Sequence, residues 1–221
     1  MSPRITTPAR ADLATALTAL ADLLDYPGAD FSMRLTRAAA LAPLAHFIAG
    51  ISALSPDQRE ELYTATFEVT PACVAYVSIH LFGEENFQRG EFMAGLNARY
   101  AQARFHCQGE LPDHLAVLLR YAAQTDEAER RDLVEFCLLG PTGKMMTALA
   151  EENPYRALLE TVREILQAAY PGVKPALSPL EQMQQHGGHG VAVVSGCHCG
   201  AAPGKVAVAP VQTRQEARSL P

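Results

Sequence analysis

Residues 154–170 read PYRALLETVREILQAAY, and their apolar side chains recur every three or four positions. This spacing places one apolar stripe along an α-helix that is polar on its other side. The inward positions are Leu158, Leu159, Val162, Ile165 and Leu166. Such a helix is stable only when its stripe packs against other elements, so the stretch predicts a partner helix or several.

The same periodicity returns upstream. Four leucines spaced by four and three residues predict a first helix that ends at Tyr26-Pro27-Gly28, and Ser55-Pro56 is a typical helix start. Further helices are predicted over 31–40, 41–53, 86–104, from Pro112, and from Asp126 to 152 with an interruption at Gly140-Pro141. We therefore predict an all-α fold, a single bundle of about nine helices spanning residues 1–170.

The stretch from Pro71 to Phe82 is almost uncharged. Thr70-Pro71 has the pattern of a capping residue followed by a helix-starting proline, and Gly83 is a typical helix end. A helix that is apolar nearly all round is buried, so we predict this one at the centre of the bundle.

Beyond Pro171 helical periodicity is lost, apart from a possible turn at 180–185, and prolines alternate with glycines. We predict that residues 171–221 form an extended, mostly disordered tail. The tail carries Cys197, His198 and Cys199, with His186 and His189 upstream. Thiolates and imidazoles at this density could bind Zn²⁺, Cu⁺ or Ni²⁺, although the spacing is tighter than in a standard two-Cys, two-His site.

The chain carries a net charge of −6, divided between −8 on residues 1–170 and +2 on residues 171–221. An acidic body argues against nucleic acid as a partner and suits a basic peptide. The scattered cysteines indicate free thiols in a reducing compartment, and the sequence shows neither a signal peptide nor an apolar run of membrane-spanning length. We expect a cytoplasmic protein that does not insert into a membrane.

Catalytic motifs are missing from the sequence. His46, His80, His106 and His114 lie on four different predicted elements, and none has a two-ligand spacing such as His-x-x-x-His. Neither a nucleophile elbow nor a nucleotide-binding loop is present. We predict a protein that is not an enzyme and needs no cofactor of its own. A small metal-dependent hydrolase using His80, Asp113 and His114 is an alternative.

Two stretches stand out as candidate binding sites. In Glu110-Leu-Pro-Asp-His-Leu115, Pro112 can start a helix and the two carboxylates lie near its positive end. These acids could simply stabilise the helix start, with His114 in a half-buried slot, or could form an acidic lip for a basic peptide. In the stretch from Tyr76 to Glu84, His80 ends a buried helix and could be an ordinary core histidine; Glu84 or Glu85 could pair with Arg89.

Taken in order, these motifs resemble the NarJ/TorD-type family of molybdoenzyme assembly chaperones. The matching text is Leu23-Leu24-Asp25-Tyr26-Pro27, Tyr63-x-x-x-Phe67, His80-x-x-Gly83-Glu84, Arg89-Gly90, Tyr100 and the stretch from Glu110 to Leu115. Residues 79–93 look closer to the branch that serves type II DMSO reductase enzymes, which act on substrates such as selenate or chlorate.

The resemblance implies an all-helical chaperone without catalytic turnover. It implies binding to the N-terminal region of an apo catalytic subunit, in many relatives an export signal or its remnant, until the molybdenum cofactor enters. The residues expected to bind that peptide are Tyr76, His80, Glu84, Arg89, Glu110, Asp113 and His114. A metallochaperone that works through the Cys/His tail is the competing prediction. The identity of the client and the choice between monomer and dimer stay open.

Overall fold

The computed structural model describes residues 10–107 and 109–185, and the regular secondary structure in these ranges is helical. The helices are α1 Arg10–Leu23, α2 Phe31–Ala39, α3 Ala45–Ser52, α4 Pro56–Phe67, α5 Val77–Phe82, α6 Gln88–Gln102, α7 Leu115–Gln124, α8 Glu127–Asp132, a π-helical segment Leu133–Leu138, α9 Leu139–Ala148, α10 Pro154–Ala169 and α11 Pro179–Gln185. The three segments from 127 to 148 follow one another without a break. Counted as one helix, they bring the number of helices in the described ranges to ten, close to the nine expected. The all-α prediction is confirmed.

Helices α1 and α7 pack against each other at the centre, while α10 packs against α9, α3 and α1. The leucines predicted to face inward do so: Leu17, Leu20, Leu158 and Leu159 are fully buried. Each fully buried leucine contributes about 1.5–3 kcal/mol of hydrophobic free energy, so the periodic stripes supply the driving force for the bundle.

The predicted helix over 71–82 is shorter than expected, because it begins only at Val77. Thr70 has a φ of +52°, and the chain then continues without regular secondary structure to Tyr76, whose backbone is extended. Its backbone groups bond to a distant segment: the Val77 N–H donates to the Asp113 carbonyl and the Leu115 N–H to the Ala75 carbonyl, each at 2.9 Å. The predicted start at Pro112 is wrong for the same reason, since α7 begins after this pairing.

The interruption expected at Gly140-Pro141 does not occur, because α9 continues through both residues. A π-helical segment comes directly before it, ending at Leu138. Pro141 has no N–H to bond to the preceding turn, and the residue four positions before it, Cys137, lies in this π-helical segment.

The chain remains packed against the bundle well past residue 170. The Ala176 N–H donates to the Glu135 carbonyl at 3.0 Å, and α11 packs against α5. Lys144 joins these parts: its Nζ donates to the His80 carbonyl at 2.9 Å and to Ser178 Oγ at 3.0 Å, and forms an ion pair with Glu181 at 3.2 Å. The rest of the predicted tail, with its Cys197-His198-Cys199 cluster, lies outside the described residues.

Within the described ranges, none of the helices has the length and apolar character needed to cross a lipid bilayer.

Two helical glycines provide a test of the packing. A Cβ on Gly50 in α3 would lie 2.7 Å from Cγ of Pro154, whose ring cannot move aside, whereas a Cβ on Gly90 in α6 would meet no atom within 4 Å. We expect Gly50→Ala to lower the free energy of unfolding by about 1–3 kcal/mol. The control Gly90→Ala should raise it by about 0.5–1 kcal/mol, since alanine favours the helix. Urea unfolding measures both, and equal shifts in the two variants would contradict the close α3–α10 packing.

Candidate functional site

The predicted site residues meet where α5 begins. Tyr76 and His114 form an isolated antiparallel bridge, and their rings contact edge to face with centroids 5.5 Å apart. The Tyr76 hydroxyl donates to Oε1 of Glu110 at 3.4 Å. Two stretches that lie more than thirty residues apart in sequence thus form one surface.

Asp113 anchors this arrangement from inside. Its side chain is fully buried, at 0% exposure. Oδ2 accepts hydrogen bonds from the Ser78 hydroxyl at 2.5 Å and from the Ser78 N–H at 3.3 Å, while Oδ1 accepts none from the described residues. Nε of Arg89 donates to the Ser78 hydroxyl oxygen at 2.9 Å. Ser78 therefore connects the guanidinium to the carboxylate.

The sequence does not predict a role for Ser78. It belongs to no recognisable motif, and the only available signal was a small polar residue inside the nearly uncharged 71–82 stretch. In the structure Ser78 is fully buried, and a buried hydroxyl needs hydrogen-bond partners. That requirement is what distinguishes Ser78 from its apolar neighbours.

The burial of Asp113 corrects one prediction. We expected its carboxylate on an acidic lip that touches a peptide, but it has no exposed surface. A buried charge is tolerated only when hydrogen bonds compensate it, and Ser78 provides two. Asp113 therefore offers no exposed surface to a partner in this structure, while Glu110, three residues earlier, is exposed as expected.

His114 has an internal role as well. It is almost fully buried, and its Nδ1 accepts a hydrogen bond from the Ala116 N–H at 3.3 Å, which makes it the N-cap of α7. Burial lowers the pKa of His114, although the carboxylates of Glu110, Asp25 and Asp113 act in the opposite direction. A neutral imidazole is what the cap requires, because a protonated Nδ1 cannot accept a hydrogen bond.

The side chain of His80 hydrogen-bonds within the protein, which matches the interpretation of His80 as a core histidine. Its Nε2 lies 2.8 Å from the Val74 carbonyl, and burial lowers its pKa despite that bond. Arg89 makes its second bond from Nη1 to the backbone carbonyl of Glu84 at 2.8 Å, in place of the expected pairing with a glutamate side chain. Glu84 and Glu85 are exposed.

A groove of about 440 Å³ on α4 adds a feature that the sequence analysis did not single out. It is lined by Tyr26, Asp57, Glu60, Glu61, Thr64, Ala65 and Val69. Two apolar side chains are unusually exposed at its edge, Val69 at 71% and Tyr26 at 45%. The groove combines carboxylates with accessible apolar surface.

The groove and the Tyr76 surface belong to one electrostatic environment. The hydrogen bond from the Tyr26 hydroxyl to Oε2 of Glu60, at 2.9 Å, raises the pKa of Tyr26, and Glu68 adds to the effect. Burial raises the pKa of Tyr76, and Glu110 and Glu68 raise it further. Glu68 thus acts on both tyrosines. We call the carboxylates of Asp57, Glu60, Glu61, Glu68 and Glu110 the acidic face.

The described residues contain no group of three or more His, Cys, Asp or Glu side chains able to hold a metal ion. The hydrolase alternative thus gains no support there, since Asp113 and His114 are committed to Ser78 and to the α7 cap. The metal-binding prediction for Cys197, His198 and Cys199 lies outside the described residues and stays a prediction.

Residues 32–169 match the family described as nitrate reductase delta subunit, a range that includes α5, the 110–114 loop and the whole acidic face. The chain belongs to the nitrate reductase delta subunit family. This confirms the resemblance to NarJ/TorD-type proteins.

A curated relative agrees with this assignment. The chain is 29% identical over 135 residues to a protein of Bacillus subtilis (strain 168) named "Probable nitrate reductase molybdenum cofactor assembly chaperone NarJ". The match covers 56% of this chain and 73% of that protein. Membership of the delta subunit family supports a role as a molybdoenzyme chaperone and is consistent with a protein that is not an enzyme.

The N-cap by His114 predicts how stability depends on pH. Because its pKa is lowered in the folded state, the unfolded chain binds a proton more readily, starting near the ordinary histidine pKa of about 6.5. This contribution is thus present above pH 6.5 and is lost as pH falls. We expect His114→Asn, which retains a capping side chain, to lose less stability than the wild type between pH 7.5 and 5.

Urea unfolding at the two pH values measures the difference. His46→Asn, at an exposed position on α3, is the control and should lose as much stability as the wild type. An identical loss in His114→Asn and the wild type would show that the cap is not proton-sensitive.

Proposed function

We propose that this protein binds the apo catalytic subunit of a molybdenum oxidoreductase of the nitrate reductase or type II DMSO reductase group, and holds it ready for cofactor insertion in the cytoplasm. Family membership and the curated relative support the chaperone role. The contact is with the N-terminal peptide of the client. The chaperone itself carries no cofactor.

The acidic face is the observation that carries this proposal. Its residues Asp57, Glu60 and Glu61 line the groove together with the exposed side chains of Tyr26 and Val69, so the groove combines apolar and negative surface. A basic amphipathic helix has complementary properties: its apolar side would cover Tyr26 and Val69, and its lysines or arginines would meet the carboxylates. The net charge of −8 on residues 1–170 adds long-range attraction.

The mechanism requires binding rather than chemistry. A chaperone that binds one conformation of its client raises the population of that conformation by mass action. Holding the N-terminal peptide delays closure of the client over its cofactor cleft and delays further assembly. Release then follows when the loaded client no longer presents the peptide in the same way.

A pull-down with the tagged full-length chain tests the proposal and identifies the client. From its native host grown anaerobically, we expect recovery of a large molybdopterin-binding subunit. The combined variant Cys197→Ser, His198→Ala, Cys199→Ser should recover the same subunit equally well, because the described body carries the acidic face. If the variant recovered nothing while the wild type bound metal, the metallochaperone alternative would replace this one.

Charge reversal at Glu110 tests the acidic face. With a labelled peptide of the first 30 residues of the recovered subunit, we expect Glu110→Lys to weaken binding about tenfold at low salt, with a smaller difference at 0.5 M salt. Glu164→Lys on the exposed side of α10 makes the same change in net charge and is the control. Fluorescence anisotropy measures both affinities, and equal weakening by the two variants would mean that only net charge matters.

A further inference from the structure

The 110–114 loop is attached to the bundle through a small set of side-chain contacts. Asp113 is its buried anchor, and among the described residues both donors to that carboxylate, a hydroxyl and a backbone N–H, belong to Ser78 on α5. The Tyr100 hydroxyl, on α6, adds a bond to the Pro112 carbonyl at 2.7 Å. Ser78 therefore occupies the contact on which the buried charge depends.

Arg89 completes the attachment from α6. Its Nε donates to the Ser78 hydroxyl oxygen while its Nη1 donates to the Glu84 carbonyl, just after α5. With its oxygen occupied by Arg89, the hydroxyl of Ser78 directs its own hydrogen to Asp113. One guanidinium thus orients one hydroxyl and fixes the end of α5 at the same time.

The half-buried Tyr76 and the exposed Glu110 lie close to this network in sequence. Tyr76 precedes Ser78 by two residues, and Glu110 precedes Asp113 by three. The bond between Tyr76 and Glu110 and the bridge between Tyr76 and His114 join the same two segments. If the buried contact is lost, the outer contacts keep only the backbone bonds between residues 75–77 and 113–115 as common support.

We propose that Ser78 and Arg89 are positioning residues, which hold the Asp113 carboxylate and thereby fix Tyr76 and Glu110 in the arrangement that receives a client peptide. The link to peptide binding rests on the proposed function. The sequence predicts Arg89 as a peptide contact, whereas here it acts through Ser78. Removal of the hydroxyl leaves Asp113 with only the longer N–H bond, and a buried carboxylate in that state favours moving outward to water.

Lysine cannot replace Arg89 in this role. Two nitrogen donors of a planar guanidinium reach Ser78 and the Glu84 carbonyl together, whereas an ammonium group is a single point donor on a flexible stem. Arg89→Lys keeps the charge and removes the fork, so it separates orientation from electrostatics.

The chain contains no tryptophan, so a single Leu111→Trp substitution places a unique fluorophore in the loop, at a side chain that is 45% exposed. In this background we expect Ser78→Ala and Arg89→Lys each to raise the acrylamide quenching constant about twofold, with unchanged helical circular dichroism. Thr161→Val removes another buried hydroxyl, which bonds to the Pro43 and Ala157 carbonyls, and should leave quenching unchanged.

A double-mutant cycle assigns the effect to the buried charge. Asp113→Asn removes the charge that needs the hydroxyl, so Ser78→Ala should change quenching far less in that background. Equal effects of Ser78→Ala with and without Asp113→Asn would overturn the role given to Ser78. If Ser78→Ala does not fold, Arg89→Lys decides, because its side chain is only half-buried.

The second readout is binding of the client peptide to chains that do not carry the Leu111→Trp substitution. We expect Ser78→Ala and Arg89→Lys to weaken binding about tenfold, corresponding to the loss of one charge-assisted hydrogen bond. Thr161→Val should bind as the wild type does. If the quenching constant rises while the peptide affinity stays unchanged, the link between loop position and peptide binding is overturned. A wild type that does not bind defeats the proposed function instead, while quenching still decides the positioning role.

Discussion

The buried carboxylate of Asp113 imposes the constraint on which the candidate site depends. A charged group without exposed surface must receive hydrogen bonds from the protein, and here the hydroxyl and the backbone N–H of Ser78 on α5 donate them. The 110–114 loop therefore cannot shift relative to α5 without exposing or abandoning that charge. The backbone bonds between residues 75–77 and 113–115 reinforce the same pairing. The contact between Ser78 and Asp113 therefore constrains the positions of Tyr76 and Glu110.

Much of the fold could be predicted from local sequence. The stripe of leucines in α1 and the stripe over 154–170 are helical patterns that need no knowledge of the partner helix, and both elements lie where the periodicity placed them. Ser55 forms the full capping box with Gln58 that its sequence indicated. Each of these features depends on residues only a few positions apart.

The errors came from features that depend on distant residues. Pro71 and Pro112 are compatible with helix starts, but proline permits a start without requiring one. Residues 75–77 instead form backbone hydrogen bonds with residues 113–115, and no local sequence pattern predicts that contact. Part of the acidic face, in contrast, could have been predicted from local sequence. Glu60 and Glu61 follow Asp57 by three and four positions, a spacing that places the three carboxylates on one side of a helix.

The motif from Glu110 to Leu115 shows why a family pattern cannot be translated directly into ligand contacts. Its two carboxylates have opposite surroundings, because Asp113 is buried against Ser78 while Glu110 is exposed beside Tyr76. His114, between them and α7, is used as a helix cap. A single short motif thus combines an anchor, a cap and an exposed charge. Substitution of the anchor or the cap would alter the exposed charge indirectly, so a loss of binding after mutation does not by itself identify a contact residue. A residue that contacts the peptide can be distinguished from one that positions the loop only when the position of the loop and the affinity for the peptide are measured separately.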